Sequence, residues 1–424
     1  MTGPEAASDL KSATMRYAMS HFGKALLWVA ADNFTLYYFT NIARLRADFA
    51  AWLFLGLLVW SAGCDITAGY ISDRLSARGK SVKGIIQAMA LVSAIAFAAS
   101  FAVSSSHDDW LWLAACAFLF RTTYSAFDVP HNALLARLVD AGADTMRLAS
   151  ARLGLNMIAT LIVTCASPWL LAPDIESART SFAWAAIALS LLSGLAILGG
   201  IPAIPNVARS PSPDLAGRDG RRLPMATIFA VAALGAMLVS ILFKAVFYFA
   251  DYTLGAPDWA PQALMLATIG KLVGAGAWGA LARGAIGPLN ANRYACLATL
   301  VATALLAMCG RESWVMDVSI VLLGIALSGT VIAPWAALSQ RVASEQQAGA
   351  AWFGVFTALT KIGVGISGWL LAMLLSLLRL VPGQAADAWQ GNVLLLACAG
   401  ILAAGAGIGY LLLTPRRSRL ARAH

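Results

Sequence analysis

Long apolar segments dominate this chain and constrain its fold more than any other feature. A helix that crosses the hydrocarbon core of a bilayer needs about 20 predominantly apolar residues, and twelve such runs follow one another. The runs lie near 17–42, 50–72, 82–104, 110–136, 148–172, 180–204, 225–252, 261–282, 291–310, 314–338, 349–378 and 389–413. The pattern predicts an all-α membrane protein with twelve transmembrane helices.

Composition supports lipid as the solvent. Of the 424 residues, 60% are apolar and 12% are charged, against about 25% charged in soluble domains. The net charge of +9 could indicate nucleic acid, but the basic residues fall in short stretches between apolar runs, so no nucleic-acid partner is expected. The six cysteines lie inside apolar segments without metal-ligand spacing, which favours core packing over a metal site.

The longest polar interruption divides the chain into two halves. Residues 205–224 contain four prolines and four arginines and follow the sixth apolar run. The predicted domains are an N-terminal six-helix bundle over 1–204, a cytoplasmic linker over 205–224, and a C-terminal six-helix bundle with a short basic tail over 225–424.

The basic residues predict the topology. If both termini are cytoplasmic, twenty of the 30 lysines and arginines lie on the cytoplasmic side, five lie outside and five lie within helices. This distribution is the positive-inside bias of membrane proteins. We expect a monomeric multi-pass protein of the bacterial inner (plasma) membrane, surrounded by lipid.

A faint internal repeat accompanies the division into halves. The second predicted helix ends in G-Y-I-S-D-R at Gly69 to Arg74, and the eighth ends in G-A-L-A-R at Gly279 to Arg283. Two related halves around a central cavity are the plan of major facilitator folds.

Several short motifs, taken in order, resemble the glycoside-pentoside-hexuronide:cation symporters, a melibiose permease-like family of the major facilitator superfamily. The matching segments are F-G-K at Phe22 to Lys24, Y-Y-F-T at Tyr37 to Thr40, W-S-A-G-C-D at Trp60 to Asp65, the loop from Gly69 to Lys80, Y-S-A-F-D-V-P-H-N-A-L at Tyr124 to Leu134, Y-T-L-G at Tyr252 to Gly255, and the stretch around Lys361. The resemblance implies symport of a sugar-like solute with a cation. Three positions differ from the family, which has acids where this chain has Ala25, Ser61 and Gln340.

Charged residues inside apolar helices are the candidate sites, because burying a charge in the bilayer is costly. Asp65 is the leading cation-site residue, and Ser61 lies one helical turn before it on the same face. The resemblance adds Asp128 and Ser125 from the fourth helix. The coupling ion is H⁺ or Na⁺, and the loss of the acid at Ser61 favours the proton. The alternative is that Asp65 only pairs with Lys361 to hold the halves together.

The predicted substrate site draws on the remaining buried polar residues. These are Lys24, Asp32, Arg121, Asp128, Asn132, Arg152 and Lys361. A structural Asp32–Arg121 ion pair is the alternative for two of them. The resemblance implies that Arg152 reaches the sugar, and that Asp73 and Arg74 form a latch between helices at the cytoplasmic gate.

The sequence thus predicts a secondary transporter that couples a cation to a sugar, glycoside, uronide or similar small polar solute by alternating access. An exporter of a lipid, drug-like or other amphipathic compound on the same fold remains the main alternative. No H-E-x-x-H, paired-aspartate or nucleophile motif occurs, so neither an enzyme nor a cofactor is expected.

Overall fold

The computed structural model describes most of the first eleven predicted spans. The described residues are 4–377 except 44, 102–109, 171–174, 202–223, 251–258, 284–285, 309–312 and 346–348. The predicted twelfth helix at 389–413, almost all of the predicted linker and the Tyr252 to Gly255 motif lie outside the described residues.

The described residues form helices and no strand, which confirms the predicted all-α class. The helices are α1 (Pro4–Tyr37), α2 (Ala47–Ala77), α3 (Lys83–Phe101), α4 (Trp110–Asp140), α5 (Thr145–Leu170), α6 (Ile175–Gly200), α7 (Met225–Tyr248), α8 (Trp259–Arg283), α9 (Gly287–Met308), α10 (Ser313–Glu345) and α11 (Ala350–Leu377).

Several helices extend beyond the apolar runs that predicted them. Helix α1 begins at Pro4 rather than near residue 17, and α10 continues to Glu345 rather than ending near residue 338. Proline suits the first turn of a helix because its missing N–H has no intrahelical partner there. An apolar run measures the length of helix in lipid, whereas the helix itself continues into polar surroundings.

Nine of the described helices are long and apolar enough to cross a membrane. The other two, α1 and α4, fall short because polar and charged side chains interrupt their apolar runs. Helix α1 carries Lys24 and Asp32, and α4 carries Arg121 and Asp128. These interruptions lie on two of the helices that carry candidate site residues.

Two apolar clusters hold helices of the same half together. The larger contains buried side chains of α1 to α6, such as Leu26, Phe97 and Phe127. The second joins α7, α8, α9, α10 and α11 through residues such as Leu242 and Leu323.

Contacts between the halves gather at one end of the structure. We call this end, which carries the α2–α3 and α4–α5 connections, the inner end, since the charge pattern predicts that it is cytoplasmic. Helix α2 packs on α11, α5 on α8, and both α4 and α5 on α10. One cross-half cluster includes Val129, Phe229, Leu338 and Phe353, all of which lie toward the inner ends of their helices. Among the described residues the inner end is therefore closed.

Two glycines bring α2 and α11 into close contact. A Cβ atom on Gly69 would lie 2.7 Å from the carbonyl oxygen of Ala350, and one on Gly354 would collide with the carbonyl oxygen of Asp65. By contrast, a Cβ on Gly63 of α2 would meet no atom within 4 Å. Glycine at these two contacts lets the two backbones approach, as small residues do in membrane helix pairs.

We expect Gly69→Val to open the inner end, because its side chain would push α2 away from α11. Ala136 is buried in the cross-half cluster at the inner end. A cysteine placed at this position should then react with maleimide severalfold faster than it does without the Gly69→Val change, measured in the detergent-solubilised protein. Gly63→Val is the matched control on the same helix and should leave the rate unchanged. Equal rates for the two variants would contradict this account of the contact.

Candidate substrate and cation site

Polar residues, with one tryptophan, form a stripe along part of α1 and along part of α4. On α1 they are Ser20, Lys24, Trp28 and Asp32, spaced by four residues, and on α4 they are Arg121, Ser125, Asp128 and Asn132. Residues three or four apart lie on the same face of a helix. Each stripe therefore occupies one face of the middle part of its helix.

Lys24 and Asp128 form the first buried ion pair of the site. The Lys24 Nζ atom lies 2.6 Å from Asp128 Oδ1, and it also donates to Asn132 Oδ1. The amide of Asn132 donates in turn to Asp128 Oδ2 at 3.0 Å. The three side chains are buried, and each satisfies the others, which offsets the cost of removing both charges from water.

A second ion pair joins the two halves. The Lys361 Nζ atom on α11 lies 2.6 Å from Asp65 Oδ2 on α2 and donates to Ser61 Oγ at 2.7 Å. The Ser125 hydroxyl of α4 donates to the Ser61 carbonyl oxygen at 3.4 Å. Three of the four predicted cation-site residues, Asp65, Ser61 and Ser125, thus lie close together, and Lys361 contacts two of them. The fourth, Asp128, is held by Lys24 but still interacts electrostatically with Asp65.

Trp28 is a central residue that the sequence analysis did not identify. Its ring centroid lies 4.7 Å from the guanidinium carbon of Arg121 and 4.9 Å from Lys361 Nζ. The ring of Tyr124 lies 5.4 Å away. The available signal was its position, four residues from both Lys24 and Asp32. In an apolar helix, however, tryptophan also suits the core or the interface.

Arg121 does not form the predicted ion pair with Asp32 in this state. Its side chain is 1% exposed, and its two terminal nitrogens have no hydrogen-bond partner among the described residues. It lines a small cavity within the first half, together with Thr35 and Ser100. Asp32 is exposed and interacts electrostatically with Arg121, Lys244 and Lys361, so it faces the space between the halves. Direct pairing in another state stays a prediction.

Arg152 lies on the inner side of the Lys24–Asp128 pair. Its Nη1 donates to the Tyr17 hydroxyl at 3.4 Å, and its guanidinium carbon lies 3.5 Å from the ring centroid of Trp335 on α10. The Tyr17 ring stacks on His131 with centroids 4.8 Å apart, and His131 Nε2 shares a 2.6 Å hydrogen bond with Ser20 Oγ. In this state Arg152 therefore joins α1 and α5 to the second half.

The predicted gate residues occupy different environments. Asp73 accepts hydrogen bonds of 2.9 Å from the backbone N–H groups of Ala350 and Ala351, at the first turn of α11. These N–H groups have no partner inside the helix, and the N-terminal end of a helix dipole favours an anion. Arg74 is exposed and its guanidinium carbon lies 4.7 Å from the ring centroid of Tyr70. Of the two predicted latch residues, Asp73 makes the contact between helices among the described residues, and its role as a gate stays a prediction.

The sequence matches a known protein family over nearly its whole length. Residues 16–413 match the family model described as MFS/sugar transport protein. The chain belongs to this family. It is therefore an integral, multi-pass membrane transporter of the major facilitator superfamily and not an enzyme. The sequence matches no protein of curated function.

Solved structures of low sequence identity share the fold. The fucose:proton symporter FucP of E. coli superposes with a TM-score of 0.67 at 14% identity, covering 95% of this chain and 99% of that one. A bacterial homologue of the iron transporter ferroportin, in an outward-facing state, gives 0.65 at 13%, covering 94% and 99%. The human organic anion transporter MFSD10 gives 0.63 at 16%, covering 97% and 100%. The predicted major facilitator fold is confirmed, while the narrower melibiose permease-like resemblance stays a prediction.

Proposed function

We propose that this protein is a secondary active transporter that couples H⁺ or Na⁺ to the symport of a sugar, glycoside, uronide or similar small polar solute. The Lys361–Asp65 ion pair carries the proposal, because it links a candidate coupling carboxylate to the opposite half of the molecule. If a bound cation replaces Lys361 at Asp65, the contact between the two halves changes.

The coupling step follows from charge compensation. In the empty carrier Lys361 neutralises Asp65, which offsets the cost of burying the carboxylate. A proton on Asp65, or a sodium ion held by Asp65, Ser61 and Ser125, takes over that neutralisation and releases Lys361. Cation and solute are then linked because both stabilise the same arrangement of the halves.

The solute site combines an aromatic surface with a few fixed polar groups, as small-molecule sites do. Trp28 provides the aromatic surface, and Asn132 and the Lys24–Asp128 pair provide hydrogen bonds to hydroxyl groups. Asp32 lies on the path that the solute takes from the outer end. The shared fold of the fucose:proton symporter is consistent with a sugar and a proton. Arg152 and Asp73 close the inner end beneath this site while it is loaded.

The proposed setting is the inner membrane of a bacterium, with both termini in the cytoplasm. Six-helix bundles over 1–204 and 225–424 move about the bound solute, and residues 205–224 link them on the cytoplasmic side. One monomer is the transport unit.

Uptake by purified protein in proteoliposomes tests the proposal. Labelled sugars and uronides are offered with an imposed proton gradient, with a sodium gradient, and with neither. We expect accumulation above the external concentration with one of the two gradients only. Outward movement of amphipathic compounds without sugar uptake would support the exporter alternative instead.

A further inference from the structure

Among the described residues of α7 to α11, three half-buried lysines outnumber the acids whose side chains are described. Helices α7, α8 and α11 contribute Lys244, Lys271 and Lys361. Among α7 to α11, Asp317 is the acid whose side chain the structure describes, and it is bound by Trp259 and Gln262 at 2.9 and 3.1 Å near the outer ends of α8 and α10. Lys361 is compensated by Asp65 from the first half. The other two lysines form no ion pair with an acid among the residues that the structure describes.

Lys271 is the most isolated of these charges. It lies twelve residues from each end of α8, which places it about 18 Å from either end at 1.5 Å per residue. A lysine side chain is too short to reach the membrane surface from that depth, so snorkelling does not explain it. Its Nζ atom lies 3.4 Å from the ring centroid of Phe243 on α7, and the described residues give it no acidic neighbour.

Lys244 follows Phe243 in α7 and belongs to a hydroxyl cluster. Its Nζ atom donates to Ser367 Oγ on α11 at 3.4 Å, and Ser367 Oγ donates to Ser240 Oγ at 2.8 Å. Lys244 also interacts electrostatically with Asp32 of the first half. Hydroxyl groups and an ammonium group together form a surface that can bind an anion.

Both lysines lie beside Phe243 of α7. Helix α8 packs on α5, α9 and α10, and Lys271 extends instead toward Phe243 of α7. Lys244 interacts electrostatically with Asp32, which belongs to the first half and is exposed. An anion beside Phe243 can approach the two lysines, and among the described residues of α7 to α11 no acidic side chain contacts either of them.

We propose that Lys271 and Lys244 bind an acidic group of the transported solute, so that the protein selects a carboxylated sugar over its neutral counterpart. The proposal rests on the proposed function and assigns a specificity role to α7 and α8. A half-buried charge within a membrane helix is costly without a partner, and the acidic group of the solute supplies that partner. The sugar hydroxyls remain with Trp28 and Asn132 of the first half.

Paired probes test the proposal in proteoliposomes. D-glucuronate is compared with D-glucose, and D-galacturonate with D-galactose, because each pair differs only in a carboxylate against a hydroxymethyl group. We expect the acid of at least one pair to enter about tenfold faster than its neutral partner. Lys271→Gln should remove most of that preference and Lys244→Gln part of it, whereas Lys271→Arg should keep it. Lys80→Gln, in the exposed α2–α3 loop, is the matched control for loss of one positive charge.

The outcomes separate the two proposals. Faster uptake of the neutral sugars, or an unchanged preference in a Lys271→Gln protein that runs as a single species in detergent, overturns the acid-binding role and leaves sugar symport standing. Uptake of neither member of any pair overturns both. If Lys271→Gln does not fold, the Lys244→Gln result and competition by D-glucuronate against the neutral sugars decide the question in the same way.

Discussion

Asp65→Asn is expected to abolish accumulation of solute against a gradient while leaving exchange across the membrane. Asparagine keeps the size of the side chain but neither takes up a proton nor supplies a charged ligand to sodium. The variant therefore loses the step in which a cation replaces Lys361 at Asp65. The internal-to-external concentration ratio should fall to about one, since cation and solute are no longer linked.

Two measurements in vesicles separate coupling from transport. Uptake driven by an imposed gradient should disappear, and exchange of labelled for unlabelled solute should stay within about tenfold of the parent. Lys361 is part-buried and keeps its hydrogen bond to Ser61, so the loss should stay below about 1.4 kcal/mol, which corresponds to tenfold. Asp9→Asn, at an exposed position in the first turns of α1, controls for the chemical change. If Asp65→Asn concentrates solute as well as the parent does, Asp65 only holds the halves together and the coupling mechanism is wrong.

Asp128→Asn should be more damaging and should remove both accumulation and exchange. Its partner Lys24 is buried and lies 2.6 Å from the carboxylate, so the substitution leaves a buried ammonium group without compensation. Breaking such a pair from one side costs about 3–5 kcal/mol, which corresponds to a loss of more than about a hundredfold. The same change disturbs Asn132, which donates to Asp128 Oδ2.

A double variant distinguishes a structural role from a functional one. Asp128→Asn combined with Lys24→Gln removes both charges and should recover thermal stability relative to the single variant. Exchange should remain absent in the double variant, because the polar groups proposed to contact the solute have changed. Recovery of exchange together with stability would show that the pair serves packing alone.

The sequence predicted where the buried charges lie and offered the Asp65–Lys361 pair as an alternative, but it did not predict the Lys24–Asp128 pair. Composition and spacing placed Lys24, Asp65, Asp128 and Lys361 inside helices. Which lysine neutralises which aspartate depends on how four helices from two halves pack, and no local pattern encodes that distance. The pairing of Asp32 with Arg121 was inferred from helical faces, yet Arg121 lies against the Trp28 ring in this state.

Aromatic and hydroxyl residues were the harder part of the site to predict. Tyr17, Trp28 and Trp335 lie in apolar helices, where such side chains more often fill the core or the membrane interface. Their contacts with Arg121, Arg152 and Lys361 become visible only once the helices are packed. The spacing of four residues from Ser20 through Asp32 was the one local sign that α1 carries a functional face.

The polar stripes of α1 and α4 also bear on how the chain enters the membrane as it is synthesised. Each lysine or aspartate at the centre of a lone helix opposes insertion by about 3 kcal/mol, and α1 carries both Lys24 and Asp32. Lys24 finds Asp128 only after α4 has been made, more than a hundred residues later. The first helix of this protein is therefore poorly suited to leave the translocon alone, and its stable residence in lipid depends on the later arrival of a helix from the same half.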